Sequence, residues 1–113
     1  MPESTERGAL TETVFYILLS LHKPMHGYGI MQFIRDLSKE RVRVGPGTLY
    51  GALRTLLEKG WIRALYSAAD SRRKEYEITA AGRRIVGDEM LRLRELIGNA
   101  DRIVGGTECA DTK

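Results

Sequence analysis

The sequence predicts a mainly α-helical protein that carries one small β-hairpin. Four stretches place apolar residues at helical spacing, and the third of them stops at a glycine, Gly60. Two short apolar and aromatic runs follow that stop and flank a turn, as the strands of a hairpin do. The chain has 113 residues, which is the size of one domain, and its core is small enough that help from a partner subunit is expected.

The first two helices are predicted from periodicity and from the residues that interrupt it. The first helix runs from Leu10 to about His22, because Pro24 cannot continue a helical hydrogen-bond ladder. Gly27 then allows a tight entry into the second helix. Residues 41–45 alternate charged residues with valine, which is compatible with a short extended piece that pairs with the hairpin.

The third helix is predicted to start at the Pro-Gly-Thr sequence of residues 46–48 and to end at Gly60. One face is leucine-rich and is expected to be buried. The other face mixes hydroxyl groups, one guanidinium and a glycine that lets backbone approach closely, so it suits the wall of a DNA groove. The buried face comprises Leu49, Leu53, Leu56 and Leu57, and the opposite face comprises Thr48, Tyr50, Gly51, Arg54 and Thr55.

Two residues of that outer face have alternative roles. Tyr50 is either a DNA contact or a side chain half buried against the second helix, since aromatic side chains usually pack. Arg54 either reaches a base or forms a surface ion pair with Glu58, four residues further on.

The hairpin that follows is basic at its tip. Its turn ends in three consecutive cations, Arg72, Arg73 and Lys74, which are natural contacts for DNA phosphates. Residues 41–74 hold eight cations and two anions, and 8 − 2 gives +6, whereas the whole chain has a net charge of +3. The positive charge therefore lies on the segment that resembles a reading helix and its wing. The alternative is a solvated basic face that only aids solubility.

The last helix is predicted to begin after Thr79, a good N-cap, and to be apolar on two sides. One line of its apolar residues steps by four and three, which is a heptad seam. We expect this seam, with the first helix, to join a second subunit; the alternative is that both apolar sides pack inside one monomer. The predicted dimerisation residues are Leu10, Val14, Val86, Met90, Leu93, Ile97, Ala100 and Val104.

Four fragments follow one another along the chain: Met25-His26-Gly27-Tyr28-Gly29, Gly47-Thr48-Leu49-Tyr50, Gly60-Trp61-Ile62 and residues 74–82. In this order and spacing they resemble the PadR family of bacterial and archaeal transcriptional regulators, over roughly residues 9–97. The resemblance implies a winged helix-turn-helix domain and a twofold dimer in which the C-terminal helix packs on the first helix of the other subunit. It also implies repression from inverted half-sites, with release by a small, often aromatic molecule in several members.

The predicted partners are double-stranded DNA, a second copy of the chain and a candidate small-molecule effector. Thr48, Tyr50, Gly51 and Arg54 are expected at the major groove, and Tyr28 at a phosphate beside the second helix. No Trp, Tyr or Phe follows Tyr76, so the last helix lacks an aromatic platform for flat ligands. The candidate effector residues are Phe15, Leu18, Met90, Leu93 and Ile97.

Other classes of protein are disfavoured by the sequence. His22 and His26 are the only histidines and a proline separates them, so no metal site, cofactor or catalytic constellation is expected. The single cysteine, Cys109, excludes an intrachain disulfide. No apolar run is long enough for a membrane span, and the first residues lack the basic start of a signal peptide, so a cytoplasmic location is expected. The remaining alternative is a winged-helix module that binds protein.

The sequence divides into four parts. Residues 1–8 are expected to be a disordered N-terminus and residues 106–113 a disordered tail. Residues 9–79 form the predicted winged helix-turn-helix domain, and residues 80–105 the dimerisation helix.

Overall fold

A computed structural model describes residues 8–66 and 74–105. The mainly helical fold with a small sheet is confirmed, while the predicted disordered ends lie outside the described residues apart from Gly8. None of the described helices combines the length and the apolar content needed to cross a membrane. The elements are α1 Glu12–Ser20, β1 Met25–His26, α2 Gly27–Leu37, α3 Pro46–Lys59, β2 Ile62–Leu65, β3 Glu75–Ile78, α4 Ala80–Ala100 and a π-helical turn at Asp101–Gly105.

The first helix, α1, is shorter than predicted. Its N-cap is Thr11, whose hydroxyl accepts a hydrogen bond from the backbone N–H of Val14 at 3.1 Å. The N–H of Leu21 still donates to the helix carbonyls, but Leu21 itself leaves helical geometry and closes the C-terminal end. Leu10 therefore precedes the helix.

The sheet has three antiparallel strands in the order β1-β3-β2. The expected hairpin of β2 and β3 is present, with Ile62 opposite Ile78 and Leu65 opposite Glu75. The other edge of β3 is taken by the two-residue strand β1, which the sequence did not predict.

The short extended piece at residues 41–45 that could have paired with the hairpin is not formed, since the sheet of the described residues contains β1, β3 and β2 alone. The loop before α3 is instead organised by Ser38, whose hydroxyl donates to the carbonyl of Ile34 at 2.8 Å and accepts from the N–H of Val42 at 3.0 Å. Val44 turns inward and is buried. These contacts bring the chain to Gly45, the N-cap of α3, and to Pro46 in its first turn. Proline is favourable there because its missing N–H would have no intrahelical partner.

The core lies where α1, α2 and α3 pack over the inner face of the sheet. Leu49, Leu53 and Leu56 of α3 are buried as predicted, whereas Leu57 is 37% exposed. The C-cap of α3 is Gly60 at φ +77°, the left-handed conformation expected of this glycine. The full buried apolar set is Ile17, Leu18, Leu21, Ile30, Ile34, Val44, Leu49, Leu53, Leu56, Ile62, Tyr76, Ile78 and Val86.

Thr79 joins the end of α3, the hairpin and α4. Its hydroxyl accepts from the N–H of Gly82 at 3.1 Å, which confirms the predicted cap, and donates to the carbonyl of Gly60 at 2.7 Å. Its own N–H donates to the carbonyl of Trp61 at 3.0 Å. A Cβ at Gly82 would collide with that same carbonyl and with the side chain of Ile78, so glycine is required at this position.

A buried carboxylate ties α4 to the residues that precede α1. Glu89 is 2% exposed, and its Oε2 accepts from the backbone N–H of Leu10 at 3.3 Å. Its Oε1 accepts from Nε of Arg92 at 2.9 Å, and this hydrogen bond raises the pKa of the Arg92 guanidinium. The polar pair thus fixes the strand-like approach to α1 against the middle of α4.

Gly82→Ala is expected to destabilise the protein by roughly 1–3 kcal/mol, because the added methyl group meets a backbone carbonyl that cannot move without disturbing the Thr79 contacts. The free energy of unfolding is measured by urea denaturation at a fixed protein concentration.

The matched control is Gly87→Ala on the same helix, where an added Cβ has open space around it. Because glycine weakens a helix interior, this variant is expected to stabilise the protein by about 0.5–1 kcal/mol. Equal effects of the two substitutions would contradict the close packing assigned to Gly82.

Candidate nucleic-acid interface

The outer face of α3 is a polar surface on a helix whose other face is fixed in the core. Thr48, Tyr50 and Arg54 are exposed, and Gly51 is half-buried with open space above its α-carbon. The hydroxyl of Thr55 donates to the carbonyl of Gly51 at 3.3 Å. The surface therefore presents hydroxyls, a guanidinium and an approachable stretch of backbone together.

Tyr50 is partly exposed and partly packed against the second helix. Its side chain is 45% exposed, yet its hydroxyl end lies against the backbone of Gly27, where a Cβ would overlap the ring. The contact with the second helix is thus confirmed, and it places the start of α3 beside the start of α2. Tyr28, the next residue of α2, is 67% exposed.

The N-terminal end of α2 is capped by a residue that the sequence analysis missed. Nδ1 of His26 accepts from the N–H of Gly29 at 3.3 Å. Since Nδ1 acts as the acceptor, the proton of a neutral ring lies on Nε2. Histidine is not among the favoured N-cap residues, so no sequence signal pointed to this role. Together with Tyr28, the remaining N–H groups of this helix end form a surface suited to an anion.

Ion pairs neutralise part of the basic segment. Arg41 pairs with Glu12, Arg43 with Glu40 at 3.1 Å, and Arg63 with Glu77 at 2.8 Å. The hydrogen bond from Arg41 lowers the pKa of the Glu12 carboxyl, and the hydrogen bond from Arg35 lowers the pKa of the Glu40 carboxyl.

Arg54 and Lys74 differ from these cations. Within residues 8–66 and 74–105, neither side chain forms an ion pair, and the alternative pairing of Arg54 with Glu58 is not formed. Nζ of Lys74 lies 5.4 Å from the centre of the Tyr66 ring, which is 66% exposed. Among the described residues of 41–74, the cations without an ion pair are therefore Arg54 on the outer face of α3, Lys59 near the end of that helix and Lys74 at the base of the wing.

The predicted wing-tip residues Arg72 and Arg73 lie outside the described residues.

In strand β3 of the hairpin, burial raises the pKa of the Tyr76 phenol. Tyr76 is 6% exposed and pairs with Met25 across β1 and β3, so it is a structural residue of the sheet.

The candidate effector residues separate into two environments. Leu18 is fully buried in the core of the domain, so it is unsuited to contact a ligand between subunits. Phe15 and Leu93 line a cavity of about 310 Å³ between α1 and α4, beside Glu89 and Arg92. Met90 is 37% exposed and Ile97 is 61% exposed, and neither lines that cavity.

The predicted dimerisation residues also separate. Val86 is 4% exposed within its own domain, so the seam assigned to a partner cannot begin there. Leu10 and Val14 are half-buried. The remaining members, all from the second half of α4 onward, have exposed side chains: Met90, Leu93, Ile97, Ala100 and Val104.

The fold is shared with solved structures of regulators. A transcriptional regulator from Clostridium thermocellum matches with a TM-score of 0.69 at 24% identity, over 82% of this chain and 92% of that chain. A PadR-like transcription factor from Bacteroides fragilis matches with a TM-score of 0.66 at 27% identity, over 91% of this chain and 98% of that one. RosR of H. salinarum matches with a TM-score of 0.64 at 30% identity, over 91% and 93%.

A relative is also found among curated proteins. An uncharacterized 37.1 kDa protein in transposon TN4556 of Streptomyces fradiae is 37% identical over 75 residues, which are 66% of this chain. These residues span 21% of the length of that protein, or about a fifth.

The family assignment rests on the sequence pattern and on the fold together. The pattern of the PadR-like family of transcriptional regulators matches residues 15–88, which is well over half of the chain. The three helices and the hairpin described above are the winged-helix arrangement of its structural neighbours. The resemblance seen in the sequence is therefore confirmed, and the chain belongs to the PadR-like family of transcriptional regulators.

Proposed function

We propose that the protein is a cytoplasmic, homodimeric repressor that binds an inverted-repeat operator in double-stranded DNA. The observation that carries the proposal is Arg54, an exposed guanidinium that forms no ion pair with the described residues and lies on the outer face of a helix whose Leu49, Leu53 and Leu56 are buried in the core. Membership of a transcriptional regulator family supports DNA as the partner.

Sequence reading is assigned to the outer face of α3. Arg54 can donate two hydrogen bonds to one guanine, a contact that discriminates against other bases by roughly 1–3 kcal/mol. Thr48 lies in the first turn of α3, the part of such a helix that enters the major groove. Thr48 and Tyr50 supply hydroxyl donors for phosphates, and Gly51 lets the backbone come close to the groove.

Register on the duplex is assigned to groups on both sides of α3. Tyr28 and the N–H groups at the start of α2 suit one phosphate, and the ammonium of Lys74 suits another on the wing side. Arg72 and Arg73 adjoin Lys74 in the sequence, and they are proposed as further phosphate or minor-groove contacts.

Dimerisation is assigned to the second half of α4 and to the π-helical turn that follows it. Leu96 is 50% exposed and Ile97 61% exposed, with Ile103 and Val104 still more exposed at 72% and 64%. An apolar line of this length on one helix is unfavourable in water and fits a second copy related by a twofold axis. Phe15 and the cavity of about 310 Å³ beside Leu93 lie at the inner end of this surface and are proposed as an effector site at the subunit boundary.

The first test is selection of bound sequences from random duplex DNA at about 150 mM salt, where nonspecific binding is weak. An enriched inverted repeat with half-sites about one helical turn apart is expected. Absence of any enriched sequence, with the protein folded and dimeric, would instead favour a winged-helix module that binds protein.

Arg54→Ala is expected to relax the sequence preference at one base pair of each half-site, because it removes the base contact and leaves the phosphate contacts in place. Discrimination at that position should fall by roughly 1–3 kcal/mol. Affinities are measured by gel shift on the selected operator and on single-base variants of it.

Lys74→Ala is expected to weaken binding to every duplex alike and to lower the salt dependence by roughly 0.9 for each phosphate contact that is lost. Arg83→Ala, an exposed cation in the first turn of α4, is the control for simple loss of charge. Indistinguishable effects of Arg54→Ala and Lys74→Ala on all sequences would refute the division into reading and positioning contacts.

Ile97→Glu is expected to raise the dimer dissociation constant by roughly a hundredfold or more, because the twofold axis places the new charge in the interface twice. Asn99→Glu adds the same charge two residues away at an exposed polar position, and the dimer should tolerate it. Sedimentation over a range of protein concentrations measures both constants. A dimer that is unaffected by Ile97→Glu would place the interface elsewhere.

A further inference from the structure

An exposed tyrosine stands beside a cation at the base of the wing. Tyr66 directly follows β2, and Lys74 directly precedes β3. The register of the hairpin places Leu65 opposite Glu75, so Tyr66 and Lys74 come next in line as a cross-strand pair. Tyr66 is 66% exposed, and Nζ of Lys74 lies 5.4 Å from the centre of its ring. A large aromatic side chain is therefore kept at the surface next to an ammonium group.

The two faces of the hairpin differ in the charge that they offer to a partner. Side chains alternate along a strand, so Lys74 lies on the same face as the buried Tyr76, two residues further on. Tyr66 shares this face, as its contact with Lys74 requires. On the opposite face the guanidinium of Arg63 is paired with Glu77 at 2.8 Å. Among the described residues of the hairpin, the cation without a carboxylate partner thus lies on the face that packs against the helices.

This pair of side chains also lies close to the proposed reading helix. Burial is the main cause of the raised pKa of the Tyr76 phenol. The ammonium of Lys74 lowers this pKa, whereas the phenols of Tyr50 and Tyr66 raise it further. Such effects act over short distances in salt solution. Tyr50 belongs to the first half of α3 and contacts Gly27, so the base of the wing adjoins the helix end that is proposed to enter the major groove.

We propose that Tyr66 and Lys74 together bind one DNA phosphate, located between the reading helix and the wing. The ammonium of Lys74 supplies the charge, and the phenol hydroxyl of Tyr66 donates a hydrogen bond to the same phosphate. The ring of Tyr66 also restrains the ammonium through the cation–π contact, so that less side-chain freedom is lost when DNA binds. This role of Tyr66 rests on the proposed function, because it requires DNA as the partner.

The test measures the affinity of the full-length protein for a labelled duplex by fluorescence anisotropy. Tyr66→Phe keeps the ring and should weaken binding roughly threefold, through loss of the hydroxyl. Tyr66→Leu removes both the ring and the hydroxyl and should weaken binding roughly tenfold. In the Lys74→Ala background the same Tyr66→Leu change should cost only about twofold, because both groups act on one phosphate. Each effect should be alike on all sequences, since a phosphate carries no sequence information.

The matched controls are Phe33→Leu, which removes another partly exposed aromatic ring, and Lys39→Gln, which removes another exposed cation. Neither should change the affinity, and circular dichroism checks that every variant is folded. The proposal is overturned if folded Tyr66→Leu binds as tightly as the wild type, or if the effects of Tyr66→Leu and Lys74→Ala simply multiply. In both cases duplex binding by the wild type leaves the proposed function standing. A wild-type protein that binds no duplex would overturn the proposed function, and this role of Tyr66 with it.

Discussion

The arrangement of the protein depends on the contacts of Thr79. Its hydroxyl accepts a hydrogen bond from the N–H of Gly82, in the first turn of α4, and donates to the carbonyl of Gly60, where α3 has just ended. The backbone N–H of Thr79 donates a hydrogen bond to the carbonyl of Trp61. The end of the proposed reading helix and the start of the proposed dimerisation helix are therefore joined directly by the hydrogen bonds of one residue. Because α4 begins in contact with this turn, its direction is set relative to α3.

That connection has a mechanical consequence for a dimer. If two copies pair through the second halves of α4, the separation of their α3 helices is set by the junction of Thr79 and Gly82 in each copy. This junction is tightly packed, since a methyl group added at Gly82 would collide with its neighbours. Half-site spacing then becomes a property of the fold. The hydrogen bond from the N–H of Leu10 to the buried carboxylate of Glu89 also constrains α4, because it fixes the residues before α1 against the middle of that helix.

The features that sequence could predict are those with a local cause. Leucine periodicity predicted the buried face of α3, and Gly60 and Thr79 predicted a helix end and a helix start, because caps follow from the chemistry of single residues. The strand β1 could not be predicted, since two residues show no periodicity and their pairing with Tyr76 is a long-range contact. Burial of Glu89 was equally hidden: a glutamate in a helix is normally solvated, and only the approach of the Leu10 backbone makes its burial favourable. Leu18 and Val86 were assigned to interfaces because a helical stripe does not say whether its partner is the same chain or another.

The number of cations available to a partner is the property for which the sequence differs most from the structure. A sum over residues 41–74 treats every cation as available, yet Arg41, Arg43 and Arg63 have carboxylate partners. For Glu12 and Glu40 the lowered pKa means that these pairs contribute above the ordinary carboxyl pKa and are lost only as the pH falls through the lowered value. At neutral pH the pairs are therefore formed, and a phosphate must compete with a carboxylate for those arginines. Arg54 and Lys74 meet no such competitor among the described residues. Among the described residues, the cations without a carboxylate partner are consequently more localised than the sequence suggests, on the outer face of α3, at its end and at the base of the wing.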